Sequence, residues 1–166
     1  MPSALPVVSR RRMLVGTAAL AVVGVTGVAC AESSPPPELA DLMTQLDMAR
    51  SDSQLASDAA SAAKPPQRPA LAAVSSERSK HAEALADEIA RLTRQPTSTS
   101  AKATSTAAQA SPPTAKDVVA ALQKSAESAG RLATVMSGYR AGLLGSIAAS
   151  CTAAYTVALG SRAGAP

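Results

Sequence analysis

The sequence has no tryptophan, no phenylalanine and only two tyrosines, Tyr139 and Tyr155. Any core must therefore come from Ala, Leu, Val, Ile and Met. The stacking platforms on which single-stranded nucleic acid is held are missing. Histidine is almost absent, with His81 alone, and cysteine is limited to Cys30 and Cys151. One histidine excludes the multi-histidine metal centres, and two distant cysteines exclude a Cys-x-x-Cys motif. There is no glycine-rich phosphate loop and no assembled Ser/His/Asp set. Alanine, the strongest helix former, is abundant. Each buried alanine contributes only about one methyl group of apolar surface, ~0.8 kcal/mol. The composition thus predicts an all-α fold held together by close helix approach.

Charge of one sign is also scarcer than it first looks. The chain carries 16 basic and 12 acidic residues, a net of +4. Arg10, Arg11 and Arg12 lie in the N-terminal segment; without them 13 basic residues face 12 acidic ones, a net of +1. A near-neutral body without aromatics is a poor nucleic-acid partner, and none is expected. No small-molecule substrate is identifiable.

Residues 1–29 have the three parts of an export signal: a charged stretch ending Ser9-Arg10-Arg11-Arg12, an uncharged apolar run over 13–29, and Gly27-Val28-Ala29 before Cys30. Positive charge stays cytoplasmic while the apolar run enters the bilayer. Small residues at the end give a peptidase access to the backbone. Ser9-Arg10-Arg11-Arg12-Met13-Leu14 resembles the twin-arginine export motif, with Arg10 and Arg11 as its pair. Met13 replaces the usual Phe and Val15 the usual Lys, so general secretion is the other route. Val28-Ala29-Cys30 resembles the end of a bacterial lipobox, although Gly27 departs from the usual Leu or Val. The resemblance implies a covalent lipid on Cys30, with acyl chains such as palmitate, and no other cofactor. The alternative is an uncleaved anchor helix, since 17 apolar residues just suffice to span a bilayer. Either version places the protein at the extracytoplasmic face of the cell membrane.

With Cys30 acylated, Cys151 has no intramolecular partner, and no disulfide framework is expected. Cys151 lies in an apolar stretch and reads as a small hydrophobe, with intermolecular pairing or reactivity as the alternative.

Residues 30–37 (CAESSPPP) read as a lipid-anchored, semi-rigid tether. Beyond them proline is absent from 38–64, 70–95 and 114–165, and proline breaks helix interiors. The prediction is a helical hairpin over 38–95 and a second helical pair over 114–160, together an antiparallel bundle of three to four helices preceded by the signal or anchor helix. Residues 161–166 are expected to be a disordered tail. In the first region Leu39, Leu42, Leu46, Ala49, Ser53, Ala56, Ala60 and Ala63 follow spacings of three and four, which defines one face. Asp41, Asp47, Arg50, Asp52 and Asp58 mostly fall elsewhere. In the second, Leu71, Val74, Ala82, Leu85, Ile89 and Leu92 form a stripe interrupted at Arg78, and Asp87 can pair with Arg91. In the third, Thr114-Ala115-Lys116-Asp117 gives a capping signature. Val118, Leu122, Ala129, Leu132 and Met136 follow on one face. Ser137-Gly138 predicts a turn, then a fourth helix from about Tyr139 to Leu159; one long bent helix is the alternative.

Residues 96–113 (PTSTSAKATSTAAQASPP) lack an apolar face and read as a disordered linker, with O-glycosylation of its hydroxyls as an alternative. Residues 141–159 carry no charge. They read as an all-round-buried bundle helix, with a membrane span as the alternative. The small residues Gly142, Gly145, Ala149 and Ala153 would allow close contact there.

Glu77 and His81 share a helical face four residues apart, and Glu88 lies two turns beyond. That set is the candidate metal site. The ordinary account is a surface Glu77–His81 pair; a buried polar network around Arg78 is a further alternative.

Glu77-Arg78-Ser79-Lys80-His81-Ala82-Glu83-Ala84-Leu85 and Ser137-Gly138-Tyr139-Arg140-Ala141-Gly142-Leu143-Leu144, together with the signal, resemble a group of alanine-rich, twin-arginine-exported lipoproteins of mycobacteria and related actinobacteria. The resemblance implies ferritin-like helical packing and no established activity. A di-iron carboxylate site needs two Glu-x-x-His pairs and two further glutamates. This chain has one histidine, with Glu77 four residues before it, so a single copy lacks that set. The expectation is a non-enzymatic, membrane-anchored bundle that binds or scaffolds a protein partner at the cell envelope. The alternative is a ferritin-like metal or redox protein, with a second chain supplying missing ligands.

Overall fold

The computed structural model describes residues 36–94 and 111–160, all within the unit Ser34–Pro166. The segment read as an export signal, with Arg10 and Arg11, as well as Cys30, most of the expected linker and the expected tail, lie outside the described residues. Four α-helices pack together, with no strand among the described residues: α1 (Glu38–Ala62), α2 (Gln67–Thr93), α3 (Ala115–Val135) and α4 (Gly138–Ala153). α4 runs on into one π-helical turn, Ala154–Ala158.

Each boundary has a local cause. Glu38 and Asp41 place negative charge in the first turn of α1, where the helix dipole favours it. At the other end Arg68 donates from Nε and Nη2 to the Ala63 carbonyl, at 3.0 and 2.8 Å, satisfying an acceptor the helix leaves open. α2 starts at Gln67, ahead of Pro69, because amides of the first turn have no helical acceptor to lose. α3 begins with the expected capping box. The Thr114 amide and hydroxyl donate to Asp117 Oδ2 at 2.8 and 2.7 Å, and the Asp117 amide donates back to Thr114 Oγ1. The single bent helix is not formed. Met136 and Ser137 are extended, and Gly138 turns the chain with φ +59°, a conformation that favours glycine.

Side-chain pairs fix the arrangement. Gln45 reaches Ser128 and Asp52 reaches Ser125, so α1 and α3 run antiparallel. Glu77 meets Ser150 and Glu88 faces Arg140, so α2 and α4 do the same. The start of α1, the end of α2 and the start of α4 share one end of the bundle, here termed proximal; Glu38, Glu88 and Arg140 meet there. The chain leaves α2 at this end and enters α3 at the opposite, distal end.

The core is aliphatic, with Leu42, Leu71, Leu85, Val118, Leu122, Leu144 and Ile147 fully buried. α1 and α2 approach closely because the residues between them are small. Ala49, Ala56, Ala59 and Ala60 are buried, and Ser53 exchanges hydroxyl bonds with Ser75 and Ser79 at 2.8–3.3 Å.

Three expectations are corrected. The buried face of α1 includes Gln45 and Asp52, while Ser53 lies at its margin. Arg91 pairs with Glu88, three residues before it, and not with Asp87, and the Glu88 carboxylate is the one turned inward. α4 is not buried all round. Leu144, Ile147, Cys151 and Ala154 face inward, whereas Gly142, Ser146, Ala149, Thr152, Ala153 and Thr156 are exposed. A Cβ on Gly142 or Gly145 would meet nothing within 4 Å, so neither glycine serves a helix contact. Gly138–Ala158 is, among the described residues, the one helical stretch long and apolar enough to cross a membrane, and 22% of it is buried.

Candidate functional site

At mid-height a polar layer crosses the aliphatic core. Asp52 comes from α1, Arg78 and His81 from α2, and Ser125 from α3. The helical spacing aims the first two at each other. Arg78 occupies a stripe position between Val74 and Leu85, and Asp52 lies between Ala49 and Ala56. Arg78, Asp52 and Ser125 are buried. Arg78 Nη2 approaches Asp52 Oδ2 at 3.0 Å and Ser125 Oγ at 3.4 Å. The Ser125 hydroxyl donates to the same Asp52 oxygen at 2.6 Å. Arg78 Nη1 lies 3.1 Å from His81 Nδ1. A guanidinium only donates, so this contact places the imidazole proton on Nε2. Arg78 Nε is buried without a hydrogen-bond partner.

The electrostatics follow from burial. Desolvation raises the Asp52 pKa above 3.8, against the lowering effects of Ser125 and Arg78. Desolvation also lowers His81 below 6.5; the Arg78 charge pushes the same way and Glu77 opposes both. From α4, Cys151 backs the layer. It is buried, and desolvation raises its thiol pKa. That environment suits an inert core thiol. The Ser125 hydroxyl is fully engaged and inaccessible, so it is not poised as a nucleophile. The layer ties α1, α2 and α3 to one register through the bonds of Asp52, Arg78 and Ser125, with Arg78 Nε left unpaired.

A second polar cluster closes the proximal end. Glu88 is buried and accepts from Arg91 Nε and Nη2 at 2.7 and 2.6 Å. Arg140 Nη1 stands 3.6 Å from Glu88, and Arg140 Nη2 stands 3.5 Å from Glu38. The Arg91 hydrogen bonds are the main cause holding Glu88 below 4.5. Arg91 also lies over the Tyr139 ring, 6.0 Å from its centroid.

The three metal candidates are engaged separately. Glu77 accepts a hydrogen bond from the Ser150 hydroxyl, His81 faces Arg78, and Glu88 belongs to the proximal cluster. Among the described residues no group of three or more His, Cys, Asp and Glu side chains is gathered to hold a metal ion. Asp52 and Ser125 went unread in the sequence. The signal for Asp52 was present: Leu42, Gln45, Ala49, Asp52 and Ala56 also follow three-and-four spacing, and an arginine interrupting the α2 stripe calls for an acidic partner. Ser125 carried no such signal. No family model matches the chain, and no curated protein or solved structure is significantly similar to it.

Proposed function

We propose that this is an exported lipoprotein, held through acylated Cys30 at the extracytoplasmic face of the cell membrane, whose helical bundle binds or scaffolds a protein partner instead of catalysing a reaction. The observation that carries the binding role is α4. Beyond Arg140, at its first turn, the helix carries no charge through residue 159, yet most of that stretch lies outside the core, which supports a surface that a partner covers. The order of charged, apolar and small residues ending at Cys30 supports the anchor.

The anchor is tested by mass spectrometry of the mature N-terminus. An acylated Cys30 is expected, and Cys30→Ala should abolish lipid labelling and block maturation. An unmodified terminus elsewhere, or an intact Met1, would overturn the lipid and leave the anchor helix. The binding role is tested by photo-crosslinkers placed at Ala149 and Ala153 in whole cells. One recurrent partner captured there, and not from Lys80 or Lys124, is expected.

A ferritin-like metal or redox protein is the second reading. It draws on the connectivity, since leaving α2 at one end and entering α3 at the other is the single-crossover topology of ferritin-like bundles. Glu77, His81 and Glu88 are its candidate ligands, completed by a second chain. Stoichiometric iron, manganese or zinc in the purified protein that disappears in His81→Ala would favour it over the first.

A further inference from the structure

We propose that the proximal end of the bundle is a membrane-contact surface, seated in the headgroup layer of the bilayer with Tyr139 and Val135 leading. The inference rests on the lipid-anchor reading of Cys30. The covalent reach is short. Seven residues, 31–37, separate Cys30 from Glu38, and a fully extended chain of that length spans at most about 25 Å. The start of α1, the end of α2 and the start of α4 are therefore the parts of the bundle that the lipid holds nearest the bilayer.

That end carries the surface such a position needs. Among the described residues four large hydrophobics are exposed. Three are proximal: Val135 (76% exposed) at the end of α3, Tyr139 (63%) at the start of α4, and Met43 (51%) in the second turn of α1. Val157 (68%) alone is distal. Tyrosine is amphipathic and is favoured at headgroup depth. Arg91 and Arg94, at the end of α2, are exposed, and Arg91 lies over the Tyr139 ring. Arg91 already gives Nε and Nη2 to Glu88, so Arg94 is the guanidinium that can donate to lipid phosphates while its stem covers apolar surface. Glu38 and Glu88 are already engaged by Arg140, while Asp41 and Asp87 are exposed at this end, so the apolar groups and Tyr139 carry the contact more than net charge does. Exposed apolar groups, an interfacial aromatic and unburied guanidinia thus coincide at the end from which the tether departs. Seated this way, the bundle stands on end and the uncharged face of α4 is presented sideways, clear of the bilayer.

The absence of tryptophan makes the test clean. The mature lipidated protein, expressed from the full chain and carrying Tyr139→Trp, Val135→Trp or Val157→Trp, would be reconstituted on phosphatidylcholine vesicles containing a headgroup nitroxide lipid. Circular dichroism would confirm the fold of each variant, and flotation with the mass of Cys30 would report the anchor. Blue-shifted emission and several-fold stronger quenching from the two proximal positions than from Val157→Trp are expected. Protein that floats, acylated, with both proximal reporters unquenched would overturn the contact and leave the anchor intact. Equal quenching at Val157→Trp would overturn the end-on seating. Protein that neither floats nor carries an acyl group would overturn the anchor, and this inference with it.

Discussion

Two carboxylates lie buried in this bundle, Asp52 at mid-height and Glu88 near the proximal end, and their proton affinities move in opposite directions. Both face guanidinia, so the presence of a cation does not separate them. The geometry does. Glu88 accepts two short bonds from Arg91, one to each oxygen, with Arg140 beyond. That bidentate arrangement outweighs desolvation. Asp52 directs one oxygen to everything: Arg78 at 3.0 Å and the Ser125 hydroxyl at 2.6 Å, inside an aliphatic core. There desolvation wins. Arg91 also keeps its guanidinium wet, with 61% of its side chain exposed, whereas Arg78 is buried with its carboxylate. Burial of one partner gives a firm ion pair; burial of both gives a layer that specifies the packing more than it stabilises it.

The most severe way to break the contrast is to insert a third carboxylate between the two. Leu85 sits on α2 between them, fully buried in the aliphatic layer. Leu85→Asp removes a core side chain and buries a carboxyl with no partner, an expected cost of about 5 kcal/mol. Urea denaturation followed by circular dichroism would measure it. An unchanged midpoint would mean that this face is not core.

Removing the mid-height cation comes next. Arg78→Met leaves Asp52 buried and unpaired, with an expected loss of about 3–5 kcal/mol. The double change Asp52→Leu with Arg78→Met should recover most of it, because an apolar pair of similar volume owes no desolvation. If the double variant is as unstable as Arg78→Met alone, the ion pair is stabilising in its own right and the contrast with Glu88 disappears.

The proximal cluster is expected to give a smaller loss. Glu88→Gln should cost about 1–2 kcal/mol at neutral pH, the scale of charge-assisted hydrogen bonds with one wet partner. Its folded-state pKa lies below the ordinary 4.5. The stabilisation is therefore present above that value and is lost as the pH falls through the folded-state one. Wild type and variant should converge in acid. Asp52 has the opposite sign: raised above 3.8, it contributes more to stability as the pH falls through its folded-state value.

The legible parts of this molecule are those that local chemistry sets. Proline gaps placed the helices, Thr114 and Asp117 marked the start of α3, and Ser137-Gly138 marked the α3–α4 turn. Each signal acts within one or two turns of chain. The polar layer was half legible. Arg78 stood out as a break in an apolar stripe, and a buried network around it was one reading of His81. Asp52 falls off the face that the leucines and Ser53 define, because α1 offers two overlapping faces with the same spacing, and alanine on both leaves hydrophobicity unable to choose. Ser125 and Gln45 were illegible, since a small hydroxyl or an amide on a helix looks the same exposed or buried. The outward character of α4 was misread for a related reason. Gly, Ala, Ser and Thr expose little apolar area per residue, so an uncharged helix can face water without the long aliphatic side chains that would announce it.

The smallest expected effect concerns His81, which lies between the two clusters' regimes: half-buried, hydrogen-bonded to a cation, and titratable. Arg78 faces it on α2 and Glu77 lies one turn before it. Desolvation first, and the Arg78 charge second, hold its pKa below 6.5. The unfolded chain thus binds a proton more readily than the folded one in the window beneath 6.5. Stability should be complete above that value and decline as the pH falls through the window. An imidazolium would also lose its hydrogen bond from Arg78, because neither partner could then accept. His81→Gln retains a hydrogen-bond acceptor and cannot titrate. Relative to that of His81→Gln, the wild-type urea midpoint should fall on acidification from about pH 7.5 to about 5.5, because the Asp52 contribution is common to both proteins. Parallel curves would show that the imidazole is solvated like an exposed histidine. The dry layer would then end at Arg78 and not extend to the edge of α2.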